Sequence, residues 1–292
     1  MIVVRLRGGL GNQLFQYAMG RRIALQYNTG LKLDLTSLLK KSNSPSVTNR
    51  EYQLHIFNIE EAFLIHPKII SFLNKYKLNF VVQLIKFVRS LGCVKVKEKS
   101  FTVDHNLITT PKKDAIYSGY WQSETYFNDI ESQLRKDLEF KEVLSPEAQL
   151  LQNKIKDVTA VCVHVRRGDY VGNGYFQTMD NNYFKAGADY LTSHNENLHF
   201  FIFSDEPEWC KTNIDLGTNF TVVDYNTNGI RYKEDLELMA SCDHFILSPS
   251  SFSWWACWLS THERKMVVAP KKWFPDDTVD TSDLIGESWK RI

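Results

Sequence analysis

Apolar residues open the chain as a strand-length run at 2–6 and recur at helical spacing from about 14 to 27. A glycine loop, 8–11, separates them, and a second strand-like run follows at 31–35. Strand, glycine loop, helix, strand is the order of a βαβ unit. Residues 40–50 are rich in Ser, Asn and Lys and read as a mobile loop, and 58–92 read as helical. Ser145-Pro146 opens another helix, and a domain boundary is expected near 157. A continuous apolar run at 160–165 then reads as a strand buried on both faces. After it, helices at 182–193, from 207, at 233–241 and at 252–260 alternate with strands at 199–203, 220–223, 244–247 and 265–268. This alternation predicts a parallel sheet with helices on both faces, and ligands at the carboxyl ends of its strands.

A length of 292 residues suits two domains. Hydrophobic residues at 43% and charged residues at 24% predict a folded core. A net charge of +1 argues against binding to nucleic acid by bulk electrostatics, so an anionic ligand needs a local cluster of arginines or backbone N–H groups. The five Cys are scattered, odd in number and without a C-x-x-C, which predicts neither a disulfide framework nor a zinc site. Cys162 reads as a small buried hydrophobe. The chain begins directly in a strand and has no apolar stretch of membrane-spanning length, so a reducing, cytoplasmic location is expected. The segment 78–96 mixes apolar residues with Lys86, Arg89 and Lys95. It reads either as an ordinary solvated helix or as an amphipathic helix in peripheral contact with the inner membrane.

Four strand-end loops carry candidate chemistry. The first, Arg5 to Gln13, holds Gly8, Gly9 and Gly11, which permit close backbone approach, ahead of a helix N-terminus suited to an anion. With Asp34 it also mimics a dinucleotide fingerprint, but Leu14 occupies the third glycine position and Asn12-Gln13 crowd the turn. The second is His164-Val165-Arg166-Arg167-Gly168-Asp169-Tyr170. Strand alternation aims Arg166 at the ligand, where a guanidinium can grip a diphosphate, and leaves Arg167 to pair locally with Asp169. The third, Ser204-Asp205, caps the next helix or bonds a ribose. The fourth, Ser248 to Trp255, starts a helix with hydroxyls that can cap it or cradle a phosphate. Trp254, Trp255 and Trp258 read as core rather than as a ligand platform. No Asp-x-Asp occurs to hold a divalent metal.

Three of these motifs together resemble the bacterial α-1,2-fucosyltransferases of glycosyltransferase family 11: Gly8 to Ala18, His164 to Tyr170, and Ser251 to Trp255. The resemblance runs over nearly the whole chain. It implies an α/β fold of GT-B type, two Rossmann-like domains facing a central cleft, with 1–157 on the acceptor side and 158–292 binding GDP-fucose. It implies inverting transfer of L-fucose from GDP-β-L-fucose to a galactose hydroxyl, with no metal and no cofactor beyond the donor. The acceptor would be a galactose-containing oligosaccharide or a lipid-linked glycan. Donor contacts are implied for Gly9, Gly11, Asn12, His164, Arg166, Asp235, Ser250, Ser251 and Phe252; Gln13 and Ser204 are counted with them. Arg166 would stabilise the leaving diphosphate, and Asp169 is the first candidate for the base, unless it only pairs with Arg167. Asp235 either accepts from guanine or merely sits in the first turn of its helix. Two other classes stay in view: a nicotinamide-dependent oxidoreductase resting on Gly9, Gly11 and Asp34, and a sugar-nucleotide or glycan-binding module without turnover.

Overall fold

The computed structural model describes residues 1–40, 49–172, 174–225 and 230–292. Most of the loop expected at 40–50 lies outside the described residues. The chain divides into two compact units, Met1–Lys141 with Ser282–Leu284, and Glu142–Thr281 with Ile285–Ile292.

The first unit runs β1 (Ile2–Arg5), α1 (Leu10–Gln26), β2 (Leu31–Asp34), α2 (Pro67–Lys75), α3 (Asn79–Arg89), β3 (Val94–Lys97), α4 (His105–Thr109), β4 (Ala115–Ser118) and α5 (Glu131–Asp137). Its sheet is parallel, in the order β2-β1-β4-β3. Residues Ile2, Val3 and Val4 of β1 are fully buried, as expected of a strand covered on both faces. Helix α1 begins four residues before the expected start, so Gly11, Asn12 and Gln13 are helical. The expected helix at 58–92 is instead two helices, and 94–97 forms a strand, so the amphipathic reading of 78–96 holds only as far as Arg89.

The second unit runs α6 (Pro146–Lys156), β5 (Thr159–Val165), α7 (Asn181–Thr192), β6 (Leu198–Ser204), α8 (Pro207–Asn213), β7 (Phe220–Val222), α9 (Arg231–Ala240), β8 (His244–Ile246), α10 (Ser251–Leu259), β9 (Val267–Ala269) and β10 (Lys290–Arg291). All its pairings are parallel, in the order β10-β9-β8-β5-β6-β7. Counted from β5, this is the doubly wound order 3-2-1-4-5-6, which reverses direction between β5 and β8. The unit starts ahead of residue 157 because α6 and its approach pack into it: Ser145 N donates to Glu234 Oε1 (2.8 Å) and Lys233 Nζ to the Glu142 carbonyl (2.6 Å). Trp254, Trp255 and Trp258 are core, and Cys162 is fully buried within β5. The two parallel-sheet units are the chain organisation of the GT-B type, and the α/β class is as expected.

Candidate functional site

In an open parallel sheet, the two loops that leave adjacent strands in opposite directions open a crevice at the reversal point. In the second unit these are the loops after β5 and β8. Ser248 stitches them together: its Oγ donates to the His164 carbonyl (2.6 Å) and accepts from Arg166 N (3.2 Å). Tyr170 Oη reaches the Pro249 carbonyl (3.3 Å), and the rings of His164 and Phe252 lie 6.1 Å apart. The loop segments that carry His164, Arg166 and Asp169 and the start of α10 with Ser250, Ser251 and Phe252 therefore lie together at this point.

Arg166 is its charged centre. Nη2 pairs with Asp169 Oδ1 (2.5 Å) and Nη1 with Asp205 Oδ2 (3.0 Å), and the guanidinium stands 5.4 Å from the Tyr170 ring centre. Burial opposes its charge, but Asp205 and Asp169 outweigh burial and hold it charged. Two carboxylates leave part of a five-donor fork over for a further acceptor, and a quarter of the side chain is exposed.

The expected division of labour between the arginines is half right. Arg167 is indeed fastened locally, but to Glu206 (3.0 Å) and with its guanidinium 3.6 Å above the Trp209 ring. Asp169 pairs with Arg166, not with Arg167. The cause lies in a residue far along the chain: Asp205, beyond the end of β6, accepts from Arg167 N through Oδ1 (3.0 Å) and pairs with Arg166 through Oδ2. Gly168 makes room for it, since a Cβ there would stand 2.4 Å from Asp205 Oδ2. Ser204 Oγ accepts from Glu206 N (3.0 Å) in a local turn, and α8 itself, with Glu206 at its N-cap, has no side-chain cap.

His164 is buried, and its Nδ1 has no hydrogen-bond partner among the described residues. Burial, with the neighbouring Arg166 charge, pushes its pKa down to about 3. The imidazole is therefore neutral near pH 7, a hydrogen-bonding group rather than a proton reservoir. Ser250 caps α10, its Oγ accepting from Phe252 N (3.3 Å), and Ser253 Oγ donates to the carbonyls of Ser248 and Ser250. The positive end of α10 thus adjoins the arginine.

Asp235 is held elsewhere. Arg231 Nε donates to both its oxygens (2.9 Å each), and Tyr225 Oη donates to Oδ1 (3.3 Å). Helix α9 starts at Arg231, two residues earlier than expected, so Asp235 lies in the second turn, not the first. Burial raises its pKa, with Arg231 pulling the other way.

The corresponding reversal in the first unit lies between β1 and β4. Here amides and an arginine close the loop. Gln16 accepts from Arg7 N (2.9 Å) and donates to the Arg7 and Gly119 carbonyls, while Arg7 Nη2 donates to Ser118 Oγ (2.8 Å). Gln13, expected among the ligand contacts, turns its amide toward the protein. It is fully buried, donates to the Gly8 and Glu51 carbonyls (2.9 and 2.8 Å) and accepts from Gln53 N (3.0 Å), so its amide is spent on the protein. Asn12 Oδ1 accepts from Gln122 (2.6 Å). Gly8 has φ +77° and a Cβ there would strike Asn12 at 2.4 Å, whereas nothing lies within 4 Å of a Cβ on Gly9. Gly11 is buried in the first turn of α1. The dinucleotide reading fails on Asp34: Arg5, Lys86 and two groups of Thr36 occupy its oxygens, which leaves no lone pair for a ribose.

No cluster of three or more metal-ligating side chains occurs among the described residues. Sequence reasoning gave Asp205 a capping or ribose-bonding role and Ser248 no role of its own; the structure joins both to Arg166. Both sit in loops already marked by strand-end position, but only strand order brings them to Arg166.

Known proteins resemble this chain to different depths. An α-1,2-colitosyltransferase of Escherichia coli is 30% identical over 305 residues, covering 100% of this chain and 99% of that protein. The human galactoside α-(1,2)-fucosyltransferase 1 is 28% identical over 159 residues, covering 49% of this chain and 42% of that protein. FUT1 of Arabidopsis thaliana, solved as a variant in complex with GDP, shares the fold with a TM-score of 0.50 at 12% identity, over 94% of this chain and 72% of that one. The sequence pattern described as Glycosyl transferase family 11 matches residues 1–292. With a full-length match to that pattern and a full-length relative at 30% identity, the chain belongs to glycosyltransferase family 11.

Proposed function

We propose that this glycosyltransferase moves L-fucose from GDP-β-L-fucose to a galactose hydroxyl of a glycan, with inversion to an α-1,2 linkage and without a metal. The observation that carries the reading is Arg166 at the reversal point of the second sheet, held between Asp169 and Asp205 and adjoining the N-terminus of α10. Transfer from a nucleoside diphosphate sugar builds negative charge on the departing phosphate. A fixed guanidinium and a helix N-terminus stabilise that charge without reorganising, a contribution of about 3 kcal/mol for one such donor. Neutral His164, with its orphaned nitrogen, supplies a hydrogen bond beside it.

Inversion in one step needs the acceptor oxygen in line with the leaving group, and a base for its proton. Asp169 is the carboxylate on the same loop, a quarter exposed, and we assign it that role. Asp235 has one acceptor site left after Arg231 and Tyr225, enough for one of the guanine donors, the N1–H or the amine. A free oligosaccharide and a lipid-linked glycan that end in galactose present the same hydroxyl, and both fit the acceptor of this reading.

The full-length relative that transfers colitose favours one second reading, colitosyl transfer. Fucose and colitose differ by a single hydroxyl. A site built around that hydroxyl discriminates strongly, on the order of 10⁴-fold, and a site that ignores it does not. The purified protein is incubated in EDTA with GDP-fucose or GDP-colitose and a galactose-terminated acceptor, and products are mapped for linkage. Fucosylated α-1,2 product from GDP-fucose is expected. Turnover of GDP-colitose alone makes the second reading the correct one. GDP-fucose binding without product from any acceptor leaves a binding module, and a reaction restored only by Mg²⁺ or Mn²⁺ removes metal independence.

A further inference from the structure

Helices α2 and α3 form a hairpin whose two faces are inverted. Its inner face is pinned to the first unit by polar groups: Lys86 Nζ on Asp34 (2.8 Å), Arg89 Nη1 on the Leu64 carbonyl (2.7 Å), and Asn74 Nδ2 on the Leu39 carbonyl (3.2 Å). Only Ile70, Leu73 and Val82 of the two helices are buried. The large apolar side chains point the other way. Phe80, Leu84 and Phe87 recur at one face of α3, Leu91 follows in the turn beyond it, and all four are 58–69% exposed; Phe72 on α2 and Tyr76 at its end continue the surface at 58% and 57%. The Phe72 and Tyr76 rings pack at 4.8 Å. An aromatic side chain half exposed presents on the order of 100 Å², so these residues together pass the few hundred Å² at which an exposed apolar patch marks an interaction site.

The surroundings of the patch are of one sign. From Ala62 to Lys97 there are six Lys, one Arg and no Asp or Glu, in a chain whose net charge is +1. Lys68, Lys75, Lys77, Lys95 and Lys97 are exposed around the hairpin. We infer that this hairpin docks the protein on an anionic lipid bilayer, its apolar face in the boundary between headgroups and acyl chains and its lysines on the headgroup phosphates. An apolar helical face with aromatic residues and a lysine rim is the pattern of an interfacial helix. Each lysine near an anionic surface adds attraction, and Tyr76 suits the polar edge of the layer. A second copy of the chain fits worse. A two-fold contact would set the same patch against itself, lysines facing lysines with no acid between them.

The full chain is sedimented with vesicles of phosphatidylcholine alone, or with about one third phosphatidylglycerol to supply the anionic surface. At least ~10-fold more protein should sediment with the anionic vesicles, and the excess should fall as salt rises. The triple variant Phe80→Ser, Leu84→Ser, Phe87→Ser should lose binding by ~10-fold or more with unfolding temperature unchanged, because these groups are exposed in the native chain. The pair Lys75→Glu, Lys77→Glu should lose the preference for anionic lipid. Absence of binding to either vesicle overturns the inference. So does a concentration-dependent dimer that the triple variant dissolves, since the face would then belong to a second copy.

Discussion

The two sheets of this protein reverse direction in the same way, yet their reversal points are built from opposite chemistry. In the second unit a charged arginine sits between two carboxylates beside a helix N-terminus, with an orphaned imidazole nitrogen next to it. In the first unit Gln13 and Gln16 fill the equivalent place and direct their amides at the protein's own backbone. A charge kept partly unsatisfied is costly and persists where a ligand of opposite sign completes it. An amide with all its partners at hand costs little and holds a loop in shape. The same topology therefore holds a part-exposed arginine between two carboxylates in one unit, and a glycine loop braced by amides with Arg7 beside them in the other.

The sharpest way to break this contrast is at Arg166. Arg166→Ala should lower the rate of transfer by about 10²–10³-fold, in the range for losing one charge-stabilising donor. Arg166→Lys should not restore it, because an ammonium cannot pair with Asp169, Asp205 and a diphosphate through one planar fork. A lysine variant within about threefold of wild type in kcat/KM would remove the diphosphate clamp.

Gln13 tests the other side. Gln13→Ala leaves two part-buried carbonyls and one N–H without their partner, and should cost about 1–2 kcal/mol of stability in a denaturant titration. Donor affinity, measured by GDP calorimetry where the variant is folded, should stay within about threefold of wild type. A large loss of affinity at unchanged stability would make Gln13 a ligand contact and erase the difference between the two loops.

The smallest effect concerns pH. His164 titrates at about 3 in the folded chain, below its ordinary value near 6.5. The native state therefore binds this proton less readily than the unfolded chain does. The stability contributed by neutral His164 is complete above about pH 6.5 and is lost as pH falls toward the folded value. At pH 5 the loss amounts to about 2 kcal/mol. Thermal unfolding of wild type and His164→Gln between pH 7 and 5 isolates it: the wild type should lose more stability over that interval. Parallel curves would mean that His164 is not held neutral by its surroundings.

Legibility followed the same divide. From 160 to 268 the run of apolar strands and helices placed nearly every element within two residues, because the central strands β5, β6, β8 and β9 are buried over nearly their whole length and so mark off the segments between them. From 58 to 97 the inverted hairpin misled: apolar residues at helical spacing lie on the exposed face, and the basic strand Val94–Lys97 shows little burial to betray it. Strand-end position picked out His164, Arg166, Asp169 and the serines before α10. It also gathered Gln13, whose buried amide cannot be told from a ligand-binding one without its partners.

What the sequence determined by itself was the α/β class, the two-unit organisation and the loops that carry the chemistry, since hydrophobic period and glycine placement act over a few residues and need no long-range information. Only tertiary structure decided who pairs with whom. Asp205 reaches Arg166 because β6 lies beside β5, and Ser248 joins the same site because β8 lies on the other side. Strand order is fixed by burial of whole faces against helices, a cooperative property of the folded unit, and so the pairing of Arg166 with Asp205, unlike that with Asp169 on its own loop, is written in no local stretch of the chain.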